Sequence, residues 1–302
     1  MIAIIGSNGQ LGWELVRRAE RRGYKALFLD LPELDITQPA SIKDNLSSKK
    51  LSLVINAAAY TAVDRAESEP EQAFAVNRIG AAHMADFCAQ ALIPLIHVST
   101  DYVFDGSKVG PYFEEDPVAP LGVYGQSKEA GEAEIRRRIQ EHLIIRTAWL
   151  YGIHGHNFVK TMLRFGKERE TLKVVGDQAG CPTCAADLAD AILLMTDHIL
   201  SGKEISWGTY HYCGGGSITW HGFAKAIFNY AEKYESFSVR EIIPITTDEY
   251  PTPVKRPPNS VLDCSKIERN FGIRPRPWEP SLADMIDAVY GATIERKLGI
   301  KA

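Results

Sequence analysis

The sequence is poor in cysteine, in long apolar runs and in net charge. Five cysteines among 302 residues are a low, odd count, typical of reduced thiols rather than of a disulfide framework. No segment approaches the ~18 consecutive apolar residues of a membrane span, and the MIAIIG start is too short for a signal peptide. The 34 basic and 38 acidic side chains give a net charge of −4, which argues against a nucleic-acid binder. We therefore expect a cytoplasmic globular protein that binds neither membranes nor nucleic acids.

Short apolar runs alternate with helix-like segments in the first half of the chain. The runs are Ile2–Ile5, Ala26–Leu29, Leu53–Ile55, Leu95–Val98 and Leu143–Ile145. The helix-like segments are Leu11–Arg22, Ser41–Leu46, Glu69–Gln90 and Lys128–Gln140. Strands separated by helices form βαβ units with right-handed crossovers. The pattern therefore predicts an α/β fold with a doubly wound, Rossmann-type parallel sheet.

The alternation loosens after about Tyr151. Turn formers cluster at 214–216 and 251–258, and helices are predicted at Trp220–Lys233, Cys264–Phe271 and Ser281–Lys297. We predict a nucleotide-binding sheet domain at residues 1–151, to which later parts of the chain can return. Residues 152–302 are predicted to form mainly a smaller, mixed substrate domain.

A glycine-rich turn follows the first predicted strand and opens a helix. Gly6, Gly9 and Gly12 have the spacing G-x-x-G-x-x-G, one residue longer than the usual dinucleotide fingerprint. Glycines let the backbone approach a pyrophosphate, and the helix N-terminus offers free N–H groups. Asp30 ends the second strand, 18 residues beyond Gly12. A carboxylate at this place favours NAD over NADP because it repels a 2′-phosphate. A plain loop aspartate at this position, or cofactor contact through Asp35, stays open.

A tyrosine and a lysine are spaced to share one helix face. Tyr124 and Lys128 are four residues apart, and a nearby cation lowers the pKa of a phenol from its usual value of about 10. Tyr124 is thus a candidate acid. Ser99 and Thr100 follow a predicted buried strand, where a hydroxyl can orient a substrate carbonyl. The alternatives are a surface Tyr–Lys pair and a turn-capping role for the hydroxyls.

Several sequence blocks together resemble the dTDP-4-dehydrorhamnose reductases, a family of extended short-chain dehydrogenases/reductases. Besides the glycine turn and Tyr124-x3-Lys128, the blocks are NAAA at 56–59, STDYVFDG at 99–106, RTAWLY at 146–151, DQxGxPT at 177–183 and YPTPxxRPxNS at 250–260. The blocks span residue 1 to about 265. Each block alone is only suggestive, whereas the combination is specific.

The resemblance implies a role for individual residues of the cofactor site. Gly9, Gln10 and Leu11 would contact the pyrophosphate, in a turn completed by Gly6 and Gly12. Asp30 would bind the adenosine ribose, Asp35 and Ile36 would lie against adenine, and Ala59, Tyr60 and Thr61 would line the nicotinamide. Members of the family accept NADPH or NADH, so the argument from Asp30 is less decisive.

The resemblance also implies a reaction. The family reduces the 4-keto group of dTDP-6-deoxy-L-lyxo-4-hexulose to give dTDP-L-rhamnose. Tyr124 would donate the proton, Lys128 would bind the nicotinamide ribose and lower the pKa of the tyrosine, and Thr100 would hydrogen-bond at the active site. The sugar would contact Thr100, Asp101 and Trp149. Arg256, beside Lys255, is the candidate for the substrate diphosphate, with a solvated basic turn as the alternative.

No metal site is predicted. Cys181 and Cys184 lack the second ligand pair of a structural zinc site, and 154–156 (HGH) is interpreted as a polar loop. Some relatives are dimers bridged by a metal through acidic side chains. Glu14 matches one such ligand, but Ala186 stands where another is expected. We therefore do not transfer that metal site, and a homodimer stays open.

Two other functions stay open. One is a non-catalytic regulator of the type that serves methionine adenosyltransferase, which keeps the fold but acts through a partner. The presence of Thr100, Tyr124 and Lys128 favours catalysis. The other is a reductase or epimerase of a different nucleotide sugar; an epimerase would retain its NAD tightly.

Overall fold

The computed structural model describes residues 1–298, and no helix in that range is both long and apolar enough to cross a membrane. The strands, in chain order, are β1 (Ile2–Ile5), β2 (Ala26–Leu29), β3 (Leu53–Asn56), β4 (Leu95–Thr100), β5 (His142–Thr147), β6 (Leu150–Tyr151), β7 (Thr171–Val175), β8 (Ala179–Gly180), β9 (Thr183–Cys184), β10 (Gly208–His211), β11 (Ile218–Thr219), β12 (Glu241–Ile245) and β13 (Asn259–Ser260). The helices are α1 (Gln10–Arg21), α2 (Pro39–Leu46), α3 (Val63–Ala66), α4 (Pro70–Phe74), α5 (Ala81–Ala91), α6 (Val123–Arg138), α7 (Phe158–Glu168), α8 (Ala185–Leu200), α9 (Trp220–Ala231), α10 (Ser265–Phe271) and α11 (Trp278–Leu298). Ala75–Gly80 is a π-helix, and Asp101–Val103 and Thr247–Glu249 are 3₁₀ turns.

Six parallel strands form the central sheet, in the order β2-β1-β3-β4-β5-β10. The first strand of the chain pairs with both the second and the third, since Ile4 lies opposite Phe28 on one side and Ile55 on the other. The chain therefore winds in opposite directions from β1 and β3. In such a sheet the crevice that binds ligands opens at the carboxyl ends of these two strands.

Apolar side chains cover both faces of this sheet, which explains the continuous apolar character of its strands. On one face, Leu15 of α1 and Ile192 of α8 pack against the strands. On the other face, Met84 of α5 and Ile135 of α6 belong to a second buried cluster. The predicted α/β fold with a Rossmann-type parallel sheet is confirmed, and each of the five predicted strands is present.

The C-terminal half builds a third core and also returns to the central sheet. Helices α7, α9 and α11 pack around Phe223 and Leu282, next to the parallel pair of β7 and β12. Strand β10 pairs with β5, and α8 carries Asp190, which forms ion pairs with Arg18 of α1 and with Arg22, the residue after α1. The predicted domain division at residue 151 includes such returns of the later chain to the sheet. The division itself stays a prediction.

The segment Glu69–Gln90, predicted as one helix, consists of α4, the π-helix Ala75–Gly80 and α5. Within the π-helix, the buried side chain of Asn77 accepts a hydrogen bond from the Tyr60 N–H (2.9 Å) and donates one to the Ser127 hydroxyl (3.0 Å). The π-helical stretch thus supplies the amide that ties the loop after β3 to α6. Widened turns of this kind are frequent at functional sites.

Helix α6 packs so closely against the π-helix that an added methyl group does not fit. A Cβ atom at Gly131 would lie 2.1 Å from the carbonyl oxygen of Asn77. We expect Gly131→Ala to lower the free energy of unfolding by about 1–3 kcal/mol, measured by urea denaturation. Gly291→Ala in α11 is the control, because a Cβ there meets no atom within 4 Å. Equal stability of the two variants would contradict the close packing of α6.

Candidate active site

A cavity of about 800 Å³ opens at the carboxyl ends of β1, β3 and β4. It brings together every site residue predicted from the sequence except Arg256. Those lining it are Gly6, Gly9, Gln10, Leu11, Gly12, Asp30, Asp35, Ile36, Ala59, Tyr60, Thr61, Thr100, Asp101, Tyr124, Lys128 and Trp149. The glycine turn and the Tyr–Lys pair therefore lie in one cavity, as one bound dinucleotide would require.

The glycine turn has the geometry of a pyrophosphate cradle. Gly6 has φ +80°, and a Cβ at Gly12 would lie only 1.9 Å from the Gly6 carbonyl oxygen. Gly9 precedes α1 and has no side chain to cap the helix, and the first turn of α1 contains no acidic residue. The N–H groups at this helix end remain available to an anion. These residues fit a dinucleotide.

Asp30 lies at the rim of the cavity beside this turn. Its carboxylate oxygens accept hydrogen bonds from the N–H groups of Asn8 and Leu31, both at 2.8 Å. Each oxygen keeps a further lone pair for a ribose hydroxyl. By contrast, one oxygen of Asp35 accepts hydrogen bonds from both the N–H and the hydroxyl of Thr37. The N–H groups of Asn8 and Leu31 thus hold the Asp30 carboxylate in a fixed position at the cavity.

Tyr124 lies in the first turn of α6, with its side chain 9% exposed. Burial raises the pKa of its phenol to about 12, and a hydrogen bond with Thr100 partly opposes this rise. The direction is opposite to the lowering expected from Lys128. The sequence shows that a cation is near but not how far the phenol is removed from water. A raised pKa keeps the phenol protonated at neutral pH, as a proton donor requires.

Lys128 is buried on the next turn of α6, with 1% of its surface exposed. Its Nζ donates a hydrogen bond to the carbonyl oxygen of Val98 (2.7 Å) and lies 3.3 Å from Nε2 of His97. Burial lowers the pKa of Lys128 to about 8, while the carboxylate of Glu132 acts in the opposite direction. Unlike an exposed lysine, this amine changes its charge close to neutral pH.

The part of the cavity near Thr100 combines a buried acid with an indole ring. The Thr100 hydroxyl donates a hydrogen bond to Asp101 (2.9 Å), and the other carboxylate oxygen of Asp101 is buried without a hydrogen-bond partner. Trp149 has a left-handed backbone (φ +48°), and its ring stacks on Trp220 with a centroid distance of 3.4 Å. Asp101 and Trp149 both line this cavity, which thus combines a carboxyl group with an aromatic ring, as sugar-binding sites do.

Arg256 does not line this cavity within the described part of the chain. Its guanidinium forms an ion pair with Asp64 (3.0 Å), next to Val63, which does line the cavity. Both partners are partly exposed. The sequence could not reveal this partner, which lies 192 residues away. Lys255, the other basic candidate, is exposed to solvent.

Two features of the site were missed in the sequence. Segment 154–156 is a loop, as predicted, but it also belongs to the site: His156 lines the cavity, and Nε2 of His154 lies 3.0 Å from the Asn8 carbonyl oxygen. The second feature is His97, a buried histidine within β4 that connects Lys128 to Asn56. The sequence did contain a signal for it, since His97 is a polar residue in LIHVST, whose other residues up to Val98 are apolar.

Comparison with known proteins agrees with this geometry. The profile of the RmlD substrate binding domain family matches residues 1–290. The chain belongs to this family. Its relatives include the dTDP-4-dehydrorhamnose reductase of Aggregatibacter actinomycetemcomitans, with 43% identity over 94% of this chain and 97% of that protein.

Solved structures of RmlD-family members have the same fold. A dTDP-4-dehydrorhamnose reductase from Clostridium acetobutylicum superposes with a TM-score of 0.89 at 38% identity, covering 95% of this chain and 99% of that chain. The Bacillus anthracis dTDP-4-dehydrorhamnose reductase, solved in complex with NADP, gives 0.87 at 36% identity, covering 95% and 98%. The match thus extends over both halves of the chain.

Asp101 gives a prediction for the stability of the site. Burial raises the pKa of Asp101 from 3.8 to about 6, so its contribution to stability is present below pH 3.8 and is lost as the pH rises through 6. The amide of Asp101→Asn does not ionise, so the variant does not lose this stability as the pH rises. Its stability relative to the parent should therefore improve by about 1 kcal/mol between pH 5 and pH 8, measured by urea unfolding.

The matched control for this prediction is Asp105→Asn. Hydrogen bonds from Ser107 and Tyr112 lower the pKa of Asp105, so its carboxylate is already fully ionised over this pH range. Its stability relative to the parent should be independent of pH. The same pH dependence in both variants would exclude the buried carboxyl as the cause.

Proposed function

We propose that this chain is an NAD(P)H-dependent oxidoreductase that reduces the 4-keto group of dTDP-6-deoxy-L-lyxo-4-hexulose (dTDP-4-dehydro-L-rhamnose) to give dTDP-L-rhamnose. The observation that carries the proposal is the meeting of Tyr124, Thr100 and Lys128 in the cavity that also contains the glycine turn. The family supports this activity, since relatives that match almost the whole chain are dTDP-4-dehydrorhamnose reductases.

The reaction adds one hydride and one proton across a carbonyl group, and the carbonyl becomes an alcohol. A bound reduced nicotinamide supplies the hydride. Tyr124 donates its phenolic proton to the carbonyl oxygen as negative charge develops there. The raised pKa of the phenol keeps this proton in place until the charge appears. Thr100 lies next to Tyr124 and would orient the phenol. To stabilise the same oxygen, its hydroxyl would have to donate to that oxygen in place of Asp101.

The cofactor would lie along the cavity from the glycine turn to Lys128. In this proposal Gly9, Gln10 and Leu11 hold the pyrophosphate, and Lys128 holds the nicotinamide ribose. NADPH and NADH are both candidates, and the related Bacillus anthracis structure contains NADP. Asp35 and Ile36 would flank the adenine, and Ala59, Tyr60 and Thr61 the nicotinamide.

The substrate would lie in the part of the cavity near Trp149. Asp101 and Trp149 both line this part of the cavity, where the carboxyl would accept a hydrogen bond from a sugar hydroxyl and the indole would offer an aromatic face. We propose that Arg256 exchanges the carboxylate of Asp64 for the substrate diphosphate, because its guanidinium is partly exposed. A cytoplasmic location is part of the proposal, supported by five free thiols in the described chain. The homodimer remains a prediction.

Tyr124→Phe tests the proton donor. The variant keeps the ring but lacks the proton, so turnover with the keto-sugar should fall by ~10²–10⁴ while the Kd for the cofactor changes little. Turnover is followed by the loss of nicotinamide absorbance, with the keto-sugar supplied by coupled enzymes. Tyr102→Phe is the control, because Tyr102 packs edge-on against Tyr124 at 5.6 Å and has no assigned role in proton transfer. Full turnover by Tyr124→Phe would refute the assignment.

Asp30→Asn tests the ribose contact. The substitution removes a negative charge and keeps an acceptor oxygen for the Asn8 N–H. Because a carboxylate repels a 2′-phosphate, the ratio of kcat/KM for NADPH to that for NADH should rise by about tenfold. Asp35→Asn, with its carboxylate bound within its own loop, should leave this ratio nearly unchanged. A larger change with Asp35→Asn would transfer the ribose role to that residue.

A further inference from the structure

A buried series of hydrogen-bonding groups connects Lys128 to the backbone of the loop that follows β3. The Ala58 N–H donates to Oδ1 of Asn56 (3.1 Å), and Nδ2 of Asn56 lies 3.1 Å from Nδ1 of His97. On the other side of the imidazole ring, Nε2 lies 3.3 Å from Nζ of Lys128, which also donates to Val98 O. Asn56, His97 and Lys128 are each no more than 1% exposed.

The Ala58 N–H fixes which group donates and which accepts in each hydrogen bond of this series. A backbone N–H can only donate, so the amide oxygen of Asn56 must face Ala58 and its NH₂ group must face His97. Nδ1 of His97 is then the acceptor, and the proton of the neutral imidazole is on Nε2. Burial and the charge of Lys128 both lower the pKa of His97 well below 6.5, so the doubly protonated ring is excluded near neutral pH.

The imidazole therefore points an N–H donor at Lys128. An ammonium group has three donors and no lone pair, so it cannot accept this hydrogen. A neutral amine has a lone pair and can accept it while still donating to the Val98 carbonyl. The contact at 3.3 Å is a hydrogen bond only in the neutral form of the lysine.

Other charges around Lys128 do not account for this preference. The titratable groups that act on Lys128 are Glu132 on α6 and His97 on β4. Tyr124 on α6 and Asp101 after β4 line the same cavity, and Arg146 on β5 binds Glu132. Glu132 favours the ammonium form, but its carboxylate is also bound by Arg146 (2.7 Å) and Arg136 (2.9 Å). Within the described contacts of its ammonium group, only the Val98 carbonyl accepts a hydrogen bond from it directly.

We propose that His97 is a positioning residue that, held as the Nε2–H tautomer by Asn56, orients the Lys128 amine and favours its neutral form. His97 does not touch the substrate and acts only through Lys128. It keeps the lysine close to its charge transition, so that a ligand with acceptor oxygens, such as a ribose diol, determines when the ammonium forms.

The kinetic part of this inference rests on the proposed function; the coupling between the two side chains does not. If the ammonium is the form that works in the reductase, kcat/KM should fall as the pH rises through the pKa of Lys128, about 8. Removal of the imidazole N–H should move this fall to higher pH.

The test is a titration of Lys128 by NMR in protein labelled with ¹³C at lysine Cε, with the signal assigned by its loss in Lys128→Met. His97→Leu removes the opposing N–H, so the pKa of Lys128 should rise by about 0.5–1 pH unit, as expected for the loss of one neutral hydrogen bond. His97→Gln, which retains a polar side chain in case the leucine variant does not fold, should shift the pKa in the same direction because its amide oxygen can accept from the ammonium.

His142→Gln is the matched control. His142 is a buried histidine at the start of β5, opposite Leu95, and its Nδ1 lies 2.6 Å from the carbonyl oxygen of Ile139. Its replacement should leave the titration of Lys128 unchanged. A fall in the Lys128 pKa in His97→Leu would mean that the imidazole accepts from the ammonium, and no change would mean that they are uncoupled; either result overturns the proposal.

The kinetic arm separates this inference from the proposed function. With saturating keto-sugar and the reduced cofactor varied below its KM, the rate reports the cofactor-free protein. The ratio of kcat/KM for the cofactor at pH 9 to that at pH 7 should then be about threefold higher in His97→Leu than in the parent. If His97→Leu only damaged the structure of the site, kcat/KM would fall by the same factor at both pH values. That result would refute the proposed effect of His97 on catalysis through Lys128. If the parent does not reduce the keto-sugar, the proposed function fails, while the NMR shift still decides the coupling.

Discussion

Removal of water from polar groups at the carboxyl ends of the central strands governs the chemistry of this site. Burial acts in the same sense on three neighbouring groups: it raises the pKa of Tyr124 to about 12 and of Asp101 to about 6, and lowers that of Lys128 to about 8. Each shift favours the uncharged form. At neutral pH the phenol is therefore uncharged, while the carboxyl of Asp101 and the amine of Lys128 lie within about one pH unit of their charge transitions.

The fold makes this burial compatible with access for a large ligand. The switch of winding direction between β1 and β3 opens the crevice, and the glycine turn forms one wall of it. The other side depends on the C-terminal half. Trp149 stacks on Trp220 at the start of α9, and Arg256 pairs with Asp64. The predicted cofactor and substrate regions are thus joined by contacts between distant parts of the chain, both of which lie within the residues matched by the family, 1–290.

Local spacing allowed much of the fold and site to be predicted from the sequence. The central strands, the glycine turn and the Tyr124–Lys128 pair depend on residues close together in the chain. The failures share a different cause. Arg256 pairs with Asp64, which only folding brings near it. The proposed role of His97 depends on groups from three elements. The pKa of Tyr124 depends on how deeply its phenol is buried. Sequence patterns reveal periodicity well but contain little direct information on solvent access.

The stacked indoles of Trp149 and Trp220 have an optical consequence. Two parallel rings with an interplanar angle of 8° and a centroid distance of 3.4 Å couple their electronic transitions, and one of them lines the cavity. Because the Trp149 ring lies in contact with the Trp220 ring, any movement of it toward a ligand would separate the two indoles. The pair is therefore an intrinsic chromophore, and a ligand that displaces the Trp149 ring would change its near-ultraviolet circular dichroism without any attached dye.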